Sequence, residues 1–425
     1  MLTLRVPLVA GAGKEVRRMN APATASTVRP EASAAPAPDL LAWDLIRTLV
    51  AFDTTSRESN LALIDWVRSY LRGYGIESTL TFDDEQRKAN LFATLPAQDG
   101  NTMTGGIVLS GHTDVVPVDG QPWDTNPFAA TIVGDKVHGR GVTDMKSFSA
   151  TGLAFVPELL RRGLARPVHF ALSYDEEVGC IGVRRLIDDI ARRGLKPTGC
   201  IVGEPTGMRL VVAHKGKRGY RCRVRGHEAH SSLTPLGVNA VEVACEIVTC
   251  LTGMARAFRD SGAGDAAYDV PYTTVHTGVI HGGTALNIVP RDCWFDFEFR
   301  HLPGDDPDLL LAEVKAHAAR MLPQMRAVAP DTFIEFDALS TLPGFDTHGG
   351  SEIADIGRAC SGTHDYGKVS FGTEASHFHS AAIPTIICGP GHIAQAHQPN
   401  EWVALEQLAA CEAFMHRLAD RVCAG

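Results

Sequence analysis

Apolar residues along this chain fall into contrasting textures. From about residue 39 they recur at helical spacing. "LLAWDLIRTLVAF" follows Asp39, a residue type suited to capping a helix N-terminus. Leu63, Val67, Tyr70, Leu71 and Tyr74 form one stripe of a second helix. Continuous apolar runs then alternate with helical ones: "GGIVLSG", "PVHFALSY" and "TGCIVGE" read as strands, "DMKSFSATGLAFVPELLRR" and "GVRRLIDDIARRG" as helices. Strands without polar alternation belong to a sheet covered on both faces, so this rhythm predicts an α/β domain with helices flanking its central sheet.

The texture changes near residue 218. "GYRCRVRG" alternates like a half-exposed strand, "GVNAVEVACEIVTCLTGMARAF" is a long helix, and "YTTVHTGVIHG" and "DCWFDFEFR" are strands. A helix after "PGDDPDLLL" and a strand at "DTFIEFDAL" complete the order β-α-β-β-α-β, the split unit of ferredoxin-like α+β modules. The first texture returns with "GKVSFG", "IPTIICG" and a helix from about Leu405. The expected organisation is a disordered tail over 1–38, a main domain in two pieces, 39–217 and 340–425, and an inserted module over 218–339. The tail is expected to be disordered because "APATASTVRPEASAAPAP" has too little apolar surface to bury.

Composition narrows the function. A chain of 425 residues, 44% apolar and 21% charged, is that of a soluble globular protein of two or three domains. A net charge of −9 argues against nucleic acid or an anionic membrane as the main partner, and no apolar run is as long as a membrane span. The ten cysteines are scattered with no C-x-x-C pair, which predicts reduced thiols in a cytoplasmic protein. The opening "MLTLRVPLVAGAGKEVRRMN" lacks a basic segment before its apolar run and does not read as a secretory signal; Met19 offers a second start.

The residues that carry chemistry stand just past apolar strands. "VLSGHTDVVP" supplies His112 and Asp114, "GRGVTDMK" Asp144, "YDEEVG" Glu176 and Glu177, "IVGEPT" Glu204, and "GPGHIAQAHQPNE" His397. Ligands of open α/β sheets bind beyond the carboxyl ends of the strands, so these junctions deliver imidazoles and carboxylates to one edge. Two adjacent acids repel unless a cation lies beside them. Nitrogen and carboxylate donors without thiolate suit Zn²⁺ or Co²⁺ in a catalytic site. A lone histidine after a strand is more often a satisfied loop residue; it is the recurrence at successive strand ends that points to metal. "GPGHIA" at 389–394 mimics a dinucleotide loop, but Pro390 and the continuation into "QAHQPNE" favour a metal loop. "GAGK" lacks the rest of a phosphate loop, and no G-x-S-x-G elbow is present.

With these motifs in order, the chain from about residue 40 to its end resembles a family of metal-dependent amidohydrolases and exopeptidases. That family includes aminoacylase, succinyl-diaminopimelate desuccinylase and acetylornithine deacetylase. "SGHTDVVP", "GRGVTDMK", "DEEVG", "GEPT", "RGHEAHSS" and "AHQPNE" carry the resemblance, and "AHKG", "FRHLPGDD" and "GPGHIAQAHQPNE" are most similar to its acetylornithine deacetylase members. The resemblance implies a zinc-exopeptidase-like catalytic domain with a mixed sheet, and an inserted lid that also serves for homodimerisation. It implies two Zn²⁺ sites in which Co²⁺ can substitute: His112 and Glu204 on one ion, Glu177 and His397 on the other, Asp144 between them. Glu176 would be the general base, with strand alternation turning Glu177 to the metals and Glu176 to the substrate. Asp114 would orient His112, and the peptide after Asp144 would be cis. His230 would donate to the oxyanion from the lid, with His227 a bystander in the same loop. Asn287 and Arg300 would contact substrate, Arg300 through a carboxylate. Lys215 and Glu374 would read the substrate's polar ends, Glu374 suiting an amine.

The implied reaction is hydrolysis of a small N-acyl-amino acid, N-acetyl-L-ornithine in the first instance. A sister amidohydrolase or a desuccinylase is the alternative within the family. A non-catalytic binding protein on the same fold would have lost the base, whereas Glu176 and all five ligands are in place.

Overall fold

The computed structural model describes residues 38–363 and 365–423. The tail expected over 1–38 lies, but for its last residue, outside the described residues.

Among the described residues sixteen strands form three sheets. In chain order they are β1 (Ser78–Phe82), β2 (Ala89–Leu95), β3 (Ile107–His112), β4 (Thr131–Val133), β5 (Lys136–His138), β6 (Val168–Ser173), β7 (Gly199–Val202) and β8 (Leu210–His214). They continue with β9 (Gly216–Arg225), β10 (Thr274–Gly282), β11 (Asp292–His301), β12 (Phe333–Leu342), β13 (Phe345–Asp346), β14 (Tyr366–Val369), β15 (Thr385–Ile387) and β16 (Trp402–Ala404). The helices are α1 (Trp43–Val50), α2 (Leu61–Gly73), α3 (Lys146–Ala154), α4 (Val156–Arg162), α5 (Ile181–Arg192), α6 (Ala240–Asp260), α7 (Pro307–Ala319), α8 (Leu322–Val328), α9 (Glu352–Ser361), α10 (Ala375–Ser380) and α11 (Leu405–Val422).

The main sheet runs β1-β2-β6-β3-β7-β15-β8-β13, with β14 also on β8. Its centre is parallel: β3 pairs with β6 and β7, and β7 with β15. Its flanks are antiparallel, giving a mixed sheet. Every residue of β3, β6, β7 and β15 is buried, as their unbroken apolar runs require. One face packs on α1, α2, α3 and α11 through Trp43, Ile46, Val67, Phe148 and Phe414. The other packs on α5 and α10 through Val183, Leu186 and Phe378.

The inserted module is a four-stranded antiparallel sheet, β10-β11-β9-β12, in the order of ferredoxin-like folds. Tyr220, Phe295, Phe297 and Phe299 alternate inward onto α6 and α7. Asn239 caps α6 by accepting the N–H groups of Val241 and Glu242, and Asp306 caps α7 ahead of Pro307.

Two local expectations are corrected. Asp39 does not cap α1; the Ala42 N–H is taken by Glu412 of α11 at 2.8 Å. The helix expected from residue 144 to 162 breaks at Phe155, because Pro157 starts a new helix and cannot continue the old ladder. The small sheet β16-β5-β4 has strands of three residues, too short to stand out as periodicity. Among the described residues no helix is long and apolar enough to cross a membrane.

Candidate metal centre

The carboxyl ends of the central parallel strands converge. His112 is the last residue of β3, Glu176 and Glu177 follow β6, and Glu204 follows β7. Gly203 makes the last turn possible: a Cβ there would sit 1.9 Å from the Phe148 ring, so only glycine lets this strand end lie on α3. His397 arrives from the loop after β15, and Asp144 stands before α3, where the Asp144–Met145 peptide is cis.

His112, Asp144 and Glu204 bring ligand atoms within 4.8 Å of one another, and so do Asp144, Glu177 and His397. Asp144 belongs to both sets and divides its oxygens between them. Oδ1 faces His112 Nε2 at 2.8 Å, and Oδ2 faces His397 Nε2 at 3.1 Å. Glu204 lies 3.7 Å from His112 Nε2, and Glu177 lies 3.0 Å from His397 Nε2.

Charge in this pocket is out of balance. Burial pushes the Glu204 carboxyl well above its ordinary range, and the charges of Asp144 and Glu176 add to this. Burial, then Asp144, pushes Glu177 up to about 7. Hydrogen bonds to Asp144 and Glu177 lift the His397 imidazole to about 10. Burial pulls His112 down, yet its bond to Asp144 and the neighbouring carboxylates hold it well above normal. Among the described residues no lysine or arginine pairs with Glu176, Glu177 or Glu204. Buried carboxylates persist when cations compensate them, so two divalent ions sharing Asp144 fit this donor set.

Glu176 belongs to neither ligand set. Its Oε1 accepts from the Cys180 thiol at 3.2 Å, and burial, opposed by His112 and reinforced by Glu177, pushes its carboxyl up to about 8. Both acids lie in a turn past the end of β6, so strand alternation does not separate them. Asp114 does: its Oδ1 accepts the Glu176 N–H at 3.0 Å and its Oδ2 the Glu177 N–H at 3.3 Å. Gly179 closes the turn at φ +118, open to glycine alone. Asp114 orients His112 mainly through its backbone carbonyl, 2.8 Å from Nδ1, whereas its carboxylate is 3.7 Å away.

The lid candidates are placed differently. His230 is exposed, bonded through Nδ1 to the Ser232 hydroxyl at 2.8 Å. Asn287 is exposed beside it, its carbonyl accepting the Ser231 N–H at 3.0 Å, and Ile288 bridges His230. The structure therefore joins His230 and Asn287 to each other. Arg300 donates to Glu298 at 3.0 Å on the sheet face opposite the phenylalanine core.

Two residues expected to contact substrate have partners within the protein. Glu374 is fully buried, and its oxygens accept from the hydroxyls of Ser110 and Ser173 at 2.7 and 2.6 Å. It ties β3 to β6 beneath the cluster. Lys215 is buried with its Nζ on the Tyr272 carbonyl at 2.6 Å, linking the main domain to the lid. Glu374 directly precedes α10 and Lys215 joins β8 to β9, placements that the short strings around them do not reveal. Ser56, which donates to Asp114 at 2.7 Å, Cys180 and Glu401 received no role from sequence. Only Glu401 carried a signal, since it shares a string with His397.

A parallel-sheet edge holding two carboxylate–imidazole sets, with a shared aspartate and a spare glutamate, is the layout of a two-metal hydrolase. The chain matches the model of Peptidase family M20/M25/M40 over residues 108–421 and belongs to that family of metal-dependent hydrolases. An acetylornithine deacetylase of Proteus mirabilis is 32% identical over 381 residues, 88% of this chain and 94% of the relative. One from Photorhabdus laumondii is 30% identical with the same coverage. An aminopeptidase of Bacillus cereus superposes with a TM-score of 0.72 at 19% identity, covering 89% of this chain and 97% of its own. A Bacillus subtilis protein described as a dinuclear metal-binding M20 peptidase gives 0.65 at 14% identity, covering 89% and 97%.

Proposed function

We propose that this chain hydrolyses N-acetyl-L-ornithine to L-ornithine and acetate, a step of arginine biosynthesis, in the cytoplasm and as a homodimer joined through the lid. In this reading His112 and Glu204 hold one Zn²⁺, Glu177 and His397 the other, and Asp144 both, with Co²⁺ an acceptable substitute. When bound, the ions supply Lewis acidity and lower the proton affinity of water.

The chain's own residues do the rest. Glu176 takes the proton of the attacking water and hands it to the leaving amine as the amide bond breaks. Its proton affinity, raised by burial, suits a group that must both accept and donate. Asp114 holds the turn so that Glu176 stays out of the ligand sets. His230, with Asn287 beside it, donates to the carbonyl oxygen as negative charge grows there, once the lid closes. Arg300 engages the substrate carboxylate.

The observation that carries this reading is the spare glutamate beside two ligand sets that share one aspartate. The substrate rests on the named relatives at 30–32% identity. A second reading, a sister N-acyl-amino-acid amidohydrolase or desuccinylase, is favoured by the burial of Glu374, which removes the acid expected to read ornithine's amine. Turnover of N-acetylornithine, N-acetylmethionine and N-succinyl-diaminopimelate, with and without chelator, separates the two. Preference for N-acetylornithine that chelator abolishes is expected. Chelator-sensitive preference for another substrate keeps the chemistry and moves the substrate.

A further inference from the structure

A buried ion pair outside both ligand sets ties their loops together. Arg140 follows β5, Glu401 precedes β16, and each side chain is 1% exposed. Arg140 Nη1 donates to Glu401 Oε2 at 2.6 Å. The other oxygen, Oε1, accepts three backbone N–H groups: Gly141 at 3.1 Å, Thr143 at 2.9 Å and Asp144 at 3.2 Å. Arg140 Nη2 donates to Gln121 Oε1 at 2.7 Å, and Gln121 Nε2 reaches the His397 carbonyl at 3.4 Å. The guanidinium lies over Trp123, 5.2 Å from the ring centroid.

Burying two charges costs more than their attraction usually returns, and a well-packed apolar pair often stabilises a fold as well. An apolar pair cannot accept three N–H groups that converge on one point. Residues 141–144 are buried and outside any strand ladder, so those donors need this acceptor. The carboxylate that collects them therefore sets where Asp144 stands. Asp144 presents one oxygen to each ligand set, so a displacement of its backbone reaches both, and the set that also loses its hold on His397 is disturbed more. Gln121 extends the same network to the loop of His397. Two of the three ligands in the Asp144–Glu177–His397 set thus hang on one ion pair, whereas His112 and Glu204 are carried by core strands.

We propose that Arg140 and Glu401 are positioning residues for the metal centre, holding Asp144 directly and His397 through Gln121. The Asp144–Glu177–His397 site then depends on them more than the His112–Asp144–Glu204 site does. This rests on the two-metal reading above.

The test is Zn²⁺ binding by the full-length chain, by chelator competition and by melting with and without Zn²⁺, for the native protein and for Glu401→Ala, Arg140→Lys and Gln121→Ala. The native chain is expected to hold two equivalents. In Glu401→Ala one equivalent should weaken by about ten- to a hundredfold, the usual effect of losing a group that orients a ligand. The other, which shares Asp144 but keeps the strand-borne His112 and Glu204, should weaken by a smaller factor, and the Zn²⁺-induced rise in melting temperature should shrink. Gln121→Ala, at a half-buried position, should weaken the same equivalent by a smaller factor. A simple brace would lower the melting temperature with and without Zn²⁺ alike and leave both affinities native, which overturns the proposal. Should Glu401→Ala not fold, native affinities in both Arg140→Lys and Gln121→Ala overturn it equally. A native chain that does not bind two Zn²⁺ overturns the two-metal reading, and the proposal with it, before any variant is made.

Discussion

His112 and His230 are the same residue type in opposite settings. His112 ends a fully buried parallel strand, and both of its nitrogens are engaged, one by a backbone carbonyl and one by Asp144. His230 stands exposed at the start of a short 3₁₀ turn in the lid, its ring bonded only to a serine two residues on. The strand end is a rigid place, stiffened by neighbours on both sides, and can hold polar groups together permanently if charge is compensated. The His230 ring is held by its own turn, while the loop backbone pairs with the Asn287–Val289 segment of the lid. Under the proposed function this suits a group needed only when substrate is present, with ligand assembly in the main domain and substrate capture in the lid.

The contrast can be broken at several points. Glu176→Gln should cut kcat on the order of a thousandfold while metal content stays native, because it removes the base and touches no ligand. Native turnover in that variant would remove Glu176 from the chemistry. His230→Ala should cost about a hundredfold in kcat, the scale of losing one oxyanion donor, with metal content and melting temperature unchanged. Loss of metal alongside activity would place the lid loop within the metal centre and dissolve the distinction drawn here.

A pH effect on stability comes next, and its largest contributors are buried imidazoles of the main domain. Burial pushes the imidazoles of His169, His214 and His377 down to about 4 from an ordinary 6.5. Between those values the unfolded chain binds more protons than the folded one, so stability falls as pH drops from about 6.5 towards 4 and is unaffected by these groups above that window. Urea denaturation at pH 6.5 and 4.5 should show a smaller acid loss in His169→Gln than in the native chain; equal losses would show that His169 does not sense the interior. The smallest effect is expected at the lid surface. Glu298→Gln should change stability by no more than ~1 kcal/mol, because its pair with Arg300 is half-exposed. A larger loss in urea would make Arg300 a structural brace and withdraw it from the substrate.

Much of this was legible in the chain itself. Unbroken apolar runs marked β3, β6 and β7, and the polar residues just beyond them are those that meet at the sheet edge. The order β-α-β-β-α-β predicted the lid sheet, and the alternation of "GYRCRVRG" predicted that one of its faces is open. Legibility failed where a residue's partner is remote. Glu374 follows a glycine-rich turn that looks exposed, but its partners are serines 264 and 201 residues away. The turn that splays Glu176 and Glu177 is held from Asp114, over 60 residues earlier, so no local rule about strand alternation could describe it.

Spacing between near neighbours along the chain specifies the kinds of element, a sheet covered on both faces and the donor types that suit a pair of divalent ions. Three features emerge only when distant segments pack together: which oxygen of Asp144 faces which histidine, the action of Asp114 on backbone N–H groups, and the hold of Glu401 on the loop of Asp144 from 257 residues away. Those are matters of strand order and loop approach. Hydrogen bonds are short and directional, and whether two distant groups meet at 3 Å depends on how the whole sheet stacks its strands.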